Sequence, residues 1–345
     1  MSRSPLRVAI IGYGLAGRVF HAPLVAAEPD MRVTAIVTAD PERRAAAEAD
    51  HPGARVVDSA DRLWESPGDL DLVVVGTPNR FHVPLARAAI AAGIAVVVDK
   101  PFTPTAASGR ALVEEAEAAG VMLTVFQNRR WDGDFLTVRR LVREGAVGRV
   151  VRFESRFDRW RPEVADRWRE RAGVEEAGGV LADLGSHLID QALVLFGPPV
   201  SVHAEIDVRR PGAVVDDDML VSLVHADGVR SHLGASMVAA SPAPRMRLLG
   251  LGGAYEVGGL DPQEDALASG ARPGDGGWGR MPPEGWGHLS DGDSRRPVET
   301  EAGDYPAFYA GVARSLRDGT PPPVDPRDSV IGLEIIEAAR AAAGA

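Results

Sequence analysis

The chain has 345 residues, enough for two domains at roughly 100–200 residues each. With 45% hydrophobic and 25% charged residues, it excludes a disordered tail, a collagen-like fibre and a disulfide miniprotein. Its 49 acidic and 38 basic residues give a formal charge of −11, and cysteine is absent; nucleic acid and anionic membrane are therefore not expected partners, and disulfide or thiolate chemistry is excluded.

Residues 6–11 (LRVAII) predict a buried parallel strand, short and β-branched. Its apolar run is too brief for a secretory or membrane segment, and no later stretch reaches about 18 apolar residues, so a cytoplasmic protein is expected. A helix is expected over 15–27, a strand over 32–38, and a helix over 41–50 with Asp40 as N-cap and Pro41 at its first position. Strands at 71–76, 94–98 and 121–126 alternate with helices at 81–92 and 104–119. This alternation predicts a doubly wound parallel sheet over 1–124.

The pattern then changes. After a helix near 134–144, residues 149–157 alternate as a half-buried strand, and an apolar helix covers about 180–196. Runs at 200–208, 217–226, 229–239 and 245–257 follow with only turns between them, Asp227-Gly228 marking a hairpin. Strands in such succession predict an α+β domain over 125–326 with one open, mostly antiparallel sheet. Residues 259–303 show no periodicity and read as a long functional or interface loop. Helices near 305–317 and 327–342 close the chain.

Gly12-Tyr13-Gly14-Leu15-Ala16-Gly17 matches G-x-G-x-x-G between a strand and a helix, the context in which the motif holds a dinucleotide pyrophosphate. Gly12 permits the tight turn, Gly14 the approach of the ligand, and Gly17 close packing of helix on strand. An acid at the end of the second strand would favour NAD; here stand Thr38, Ala39 and Asp40, with Arg43 and Arg44 in the next turn. A hydroxyl beside guanidinium groups favours the 2′-phosphate of NADP, while Asp40 keeps a ribose contact, and so NAD, open.

Of the 38 basic residues, 37 are arginine and one is lysine, Lys100. Unlike arginine, lysine can act as a compact acid or base. It stands at the carboxyl end of a parallel strand, after Asp99 and before Pro101. Thr77-Pro78-Asn79 ends the preceding strand at the same edge, where α/β sheets bind ligands, and His82 follows on the next helix, so these positions are expected to border the nicotinamide. In Gly178–Asp190, Asp183 and His187 are four apart on a helix and share a face, which Asp190 continues. A carboxylate beside an imidazole suits a proton acceptor for a hydroxyl. The three lack a convergent fourth ligand, so no metal is expected. His21 reads as a helix-surface histidine.

These segments carry a resemblance over essentially the full length. GYGLAG, TPNRFH at 77–82, DKP at 99–101, QNRRWDGDF at 127–135 and GGVLADLGSHLIDQ at 178–191 resemble the Gfo/Idh/MocA oxidoreductases. The last, with RFDRWRPEVADRWRE at 156–170, resembles their NADP-dependent scyllo-inositol dehydrogenase branch. The family usually has Glu-Lys-Pro where this chain has Asp99-Lys100-Pro101. The resemblance implies a Rossmann domain followed by an open sheet, a catalytic set of Lys100, Asp183 and His187, and a helix at 327–345 returning to the first domain. It places Asn128 by the cofactor and Arg129 near the substrate, with Arg161 and Trp168 as further substrate candidates, and implies a homodimer or homotetramer.

The expected activity is hydride exchange between NADP, or NAD, and a secondary alcohol or ketone of a cyclic polyol or sugar. Two alternatives use the same scaffold: a non-catalytic redox sensor, and glycosidic cleavage through transient oxidation with a retained cofactor.

Overall fold

The computed structural model describes residues 4–65, 70–164, 173 and 176–344. Its first sheet contains β1 (Leu6–Ile11), β2 (Met31–Val37), β3 (Arg55–Val57), β4 (Leu72–Val75), β5 (Ala95–Asp99) and β6 (Leu123–Phe126). All pairs are parallel, in the order β3-β2-β1-β4-β5-β6. The central strands are shielded from water on both faces: Leu72, Val73, Val74, Val75, Val96, Val97 and Val98 are fully buried. Helices cover both faces of such a sheet, so its strands read as continuous apolar runs. The strand order reverses between β1 and β4, which opens a crevice at their carboxyl ends.

The helices serving this sheet are α1 (Ala22–Ala27), α2 (Pro41–Asp50), the short α3 (Ala60–Glu65), α4 (His82–Ala91) and α5 (Ala106–Ala119). A π-helical segment, Leu15–His21, leads into α1. Strand β3 and helix α3 add to the elements expected from the sequence; three and six residues are too few to show a period.

The second sheet follows α6 (Gly133–Arg143). Its strands are β7 (Val150–Asp158), β8 (Pro199–Asp207), β9 (Asp218–His225), β10 (Arg230–Ser236), β11 (Met246–Gly250), β12 (Gly253–Val257), β13 (Gly287–Ser290) and β14 (Arg295–Val298). The order is β14-β13-β12-β11-β7-β10-β9-β8, antiparallel except for the parallel β7–β10 pair. Along β7, Phe153, Ser155 and Phe157 are buried while Arg152, Glu154 and Arg156 alternate with them, the period of a sheet with one covered face. Arg247 on β11 bonds Glu154 on β7 at 2.9 Å and meets Glu256 on β12 at 3.3 Å, an ion-pair ladder across the other face.

Two expectations need correction here. The run 245–257 is a hairpin of two strands, not one. A Cβ on Gly250 would lie 2.1 Å from the Val147 carbonyl, and Gly253 adopts φ +156, so glycines accommodate the turn that periodicity could not reveal. The segment 259–303 is no plain loop either. It contains α8 (Gln263–Ala268), β13 and β14, and is anchored by Gln263, whose Nε2 donates to Trp131 O at 3.1 Å and whose Oε1 accepts from Trp278 Nε1 at 3.0 Å.

The apolar helix α7 (Ser186–Phe196) follows a π-helical segment, Leu181–Gly185. Helices α9 (Pro306–Asp318) and α10 (Pro326–Ala343) end the chain. Helix α10 meets the first sheet's helices: Glu337 Oε1 accepts from the Ala106 N–H at 2.8 Å, and Glu334 pairs with Arg110. It also packs on α7 and β8. No helix among the described residues is long and apolar enough to cross a membrane.

Candidate active site

The glycine loop is shaped by contacts that leave no room for side chains. A Cβ on Gly17 would lie 1.9 Å from the Gly12 carbonyl, and one on Gly12 would lie 2.6 Å from Gly76 O. Gly12 also takes φ +96, a backbone that other residues rarely adopt. Gly14 differs: the nearest atoms to a Cβ there belong to the Arg43 guanidinium, at 3.5 and 3.9 Å. No side chain caps the helical turn that begins at Leu15, so its N–H groups remain for an anion. An open backbone, uncapped N–H groups and a guanidinium fit a nucleotide phosphate.

Asp40 Oδ1 accepts the Arg43 N–H at 2.9 Å. That bond caps α2 with one carboxylate oxygen, and the other stays exposed. Thr38 is buried, and its N–H bonds Val57 O at 2.9 Å.

Between the two sheets lies a cleft of about 650 Å³, counting the space at its mouth. Leu15 and Ala16 line it from the glycine loop, Asp99 and Lys100 from the end of β5, Asn128 and Arg129 from the turn after β6. Asp183, Leu184 and His187 line it from α7 and its π-helical lead-in. That lead-in is set by Asp216, whose Oδ2 accepts the Leu181 N–H at 2.7 Å. Gly179 lets the carboxylate approach, since a Cβ there would lie 2.1 Å from Asp216 Oδ1.

Lys100 Nζ donates to Asp183 Oδ1 at 2.6 Å and to the Asp183 carbonyl at 2.9 Å. The pair is mostly buried, with side chains 13% and 26% exposed. Asp99 Oδ1 accepts the Lys100 N–H at 2.8 Å, so the shorter acid folds back on its own chain and leaves the ammonium to Asp183. Helical spacing puts Asp183 and His187 on one face, and the structure adds Lys100 to Asp183. Asp190 leaves the stripe altogether. It forms a two-pronged bond with mostly buried Arg130 at 2.8 and 2.7 Å.

Several expected cofactor contacts are turned elsewhere. His82 is fully buried, with Nδ1 3.0 Å from Pro101 O and Nε2 2.9 Å from Thr77 O. It ties the two strand-end loops together from behind and has no face on the cleft. Tyr13 is also buried, and its hydroxyl donates to Asp50 Oδ2 at 3.0 Å. Burial and Asp50 together hold that phenol well above its ordinary value; only its backbone is left for a phosphate. Asn79 Nδ2 donates to Glu176 O at 2.9 Å. Thr77 and Pro78 stand at the crevice edge, where Pro78 precedes the short turn Asn79–Phe81.

Among the substrate candidates, Arg129 lines the cleft, with Nη1 3.2 Å from Asp132 and Nη2 2.6 Å from Glu264. Burial pushes Asp132 up to about 7 against the pull of Arg129. Arg161 is exposed and outside the lining; its N–H bonds Met237 O at 2.8 Å. Trp168 lies outside the described residues. Arg159 and Glu264 line the cleft although the sequence assigns neither a role. Arg159 lies inside the 156–170 stretch that carries the resemblance, whereas nothing local marks Glu264. His21 is not a surface residue: it is fully buried, its Nδ1 2.7 Å from Tyr309 OH. Burial lowers it to about 4.

Comparison with known proteins agrees with this geometry. Residues 6–127 match the oxidoreductase family with an NAD-binding Rossmann fold, and residues 135–256 match the GFO/IDH/MocA C-terminal domain. Over 342 residues the chain is 41% identical to the uncharacterized oxidoreductase YdgJ of Escherichia coli, covering 96% of this chain and 94% of that one. It is 38% identical over 338 residues to scyllo-inositol 2-dehydrogenase (NADP(+)) IolW of Bacillus subtilis, covering 97% and 92%. The solved structure of yvaA from Bacillus subtilis superposes with a TM-score of 0.92 at 35% identity, covering 100% of this chain and 97% of that one. A Rossmann sheet with its glycine loop, a mostly antiparallel second sheet and a lysine cleft between them place the chain in the Gfo/Idh/MocA family of NAD(P)-binding oxidoreductases.

Proposed function

We propose that the protein exchanges a hydride between NADP(H) and a secondary alcohol or ketone on a cyclic polyol or sugar. One observation carries this reading: the Lys100 ammonium, held at 2.6 Å by Asp183, lies in the same cleft as His187 and as Leu15 and Ala16 of the glycine loop. The activity of IolW, an NADP-dependent scyllo-inositol dehydrogenase, and that of the 30% identical inositol 2-dehydrogenase of Rhizobium meliloti support the polyol class.

The bound nucleotide supplies the two-electron acceptor or donor. In the oxidation direction His187 takes the substrate hydroxyl proton, and the Lys100 ammonium donates a hydrogen bond to the oxygen as its negative charge grows. Asp183 holds Lys100 aimed at the cleft, and is a positioning residue. In reduction the same proton returns from His187 to the carbonyl oxygen. Arg43, over Gly14, favours the 2′-phosphate and hence NADP. Two or four copies are expected to assemble through the ion-pair face of the second sheet, which light scattering tests.

The test is a titration of nucleotide-stripped protein with NADPH and NADH, followed by turnover on inositols, inososes and aldoses. Tight NADPH binding with turnover of one member supports the reading. Binding without any turnover removes the dehydrogenase reading for these classes, and failure to bind either nucleotide removes it entirely.

A further inference from the structure

Beyond Lys100 and His187, the cleft presents a second set of polar groups that the hydride-transfer reading does not use. Glu264 comes from α8 and Arg159 from just after β7, and both line the cleft. Glu264 Oε2 accepts from Arg129 Nη2 at 2.6 Å, yet its side chain stays 42% exposed. Arg129 itself is buried between Asp132 and Glu264. Its guanidinium thus holds one oxygen of Glu264 and leaves the other for a ligand.

Arg159 is in the opposite condition. Among the described residues no carboxylate lies within ion-pair distance of it. Burial disfavours its charge, and Arg161 and Arg129 oppose it further, while Asp183 and Glu264 draw it back. A cation left in that position has free donors, and a carboxylate with a free oxygen shares its cleft. A charged ligand would satisfy one and be repelled by the other. A neutral hydroxyl satisfies both, since it accepts from a guanidinium and donates to a carboxylate.

We infer that Glu264 and Arg159 form the recognition end of the substrate site, gripping neighbouring hydroxyls of an uncharged ring while Lys100 and His187 engage the reacting oxygen. The inference rests on the proposed hydride transfer and adds the residues that select for an uncharged, hydroxyl-rich ring over a sugar acid. Recognition through groups that are left unpaired without their ligand discriminates strongly, because a substrate lacking the hydroxyl strands a partly buried charge.

The test compares wild type with Glu264→Gln and Arg159→Met on the best neutral polyol or sugar and on a uronic acid of matched ring size, with NADPH affinity measured alongside. Each variant is expected to raise KM for the neutral substrate about 10–100-fold, with a smaller change in kcat and NADPH affinity within about twofold. Arg159→Lys is expected to recover part of the loss. Unchanged KM in both variants overturns the inference alone. So does a wild-type preference for the uronic acid that Arg159→Met abolishes, which would make Arg159 an anion anchor. Wild-type protein that turns over no member of either class overturns this inference together with the functional reading beneath it.

Discussion

Lys100 Nζ and Asp183 Oδ1 lie 2.6 Å apart although 83 residues separate them in the chain. Strand β5 delivers the lysine and the π-helical lead-in to α7 delivers the carboxylate. Lys100→Met should therefore lower kcat by about 10²–10⁴-fold, the range for general acid–base and charge assistance. NADPH binding should survive. Steady-state kinetics beside a fluorescence titration checks both, and wild-type turnover in the variant would remove Lys100 from the chemistry.

Arg43 stands over the glycine loop. Arg43→Ala should weaken NADPH by about 10–100-fold, the loss of a charge-assisted hydrogen bond, and leave NADH nearly unchanged. Equal weakening of both nucleotides would show that Arg43 holds the shared pyrophosphate and does not set the preference.

Gly17 separates the first helical turn from β1, and a Cβ there would sit 1.9 Å from a carbonyl oxygen. Gly17→Ala should cost about 1–3 kcal/mol through overpacking and should weaken nucleotide binding as the loop is pushed away. Thermal unfolding of the stripped protein reads the first effect, and a nucleotide titration reads the second. An unchanged melting temperature would mean that the helix shifts freely.

Asp190 tests structure against chemistry. It shares the face of His187 in sequence but pairs with mostly buried Arg130, which also bonds Asp328 at 2.9 Å. Asp190→Ala should destabilise by about 3 kcal/mol, the low end for a broken buried pair because Asp328 remains. The kcat of the folded fraction should be unchanged. Urea unfolding and kinetics at low temperature separate the two, and a selective loss of kcat would return Asp190 to the site.

His21 gives the acid side of the stability profile. Its folded value of about 4 lies below its ordinary 6.5, because burial disfavours the imidazolium. The unfolded chain therefore takes up the proton first as pH falls. His21 contributes stability that is fully present above about 6.5 and is lost as pH falls towards 4. Asp132, raised to about 7, works in the opposite direction through the same window, so the wild-type curve alone mixes them. The stability difference between wild type and His21→Gln should shift by about 2–3 kcal/mol against wild type between pH 7.5 and 4.5. A difference that does not change with pH would show that His21 keeps its ordinary affinity for protons when folded.

The main alternation of strands and helices through residue 126 was readable because the longer elements carry their own period, and Asp40 marks the start of α2; β3 and α3 were too short to show one. The glycine loop was readable because its spacing between a strand and a helix is itself the signal. Elsewhere the local signal was too short or misleading. The strands at 287–290 and 295–298 have four residues each, too few for alternation to stand out among glycines and prolines. Chain position sets His82, Tyr13 and Asn79 near the strand ends, but their side chains turn to Pro101, Asp50 and Glu176. A residue's place along a strand end does not say which way its side chain faces when several backbone acceptors compete for it.

Sequence was sufficient for the longer secondary elements in order, the phosphate loop and the chemically equipped residues, among them a single lysine in a chain of arginines. These follow from backbone preference and hydrophobic period over ten residues or so. The tertiary structure decided that Asp183 serves Lys100, that Asp190 serves Arg130, and that Glu264 and Arg159 meet at one cleft. Those pairings depend on how two sheets and the helices between them pack, and burial then forces each charged group to find a partner across long stretches of chain.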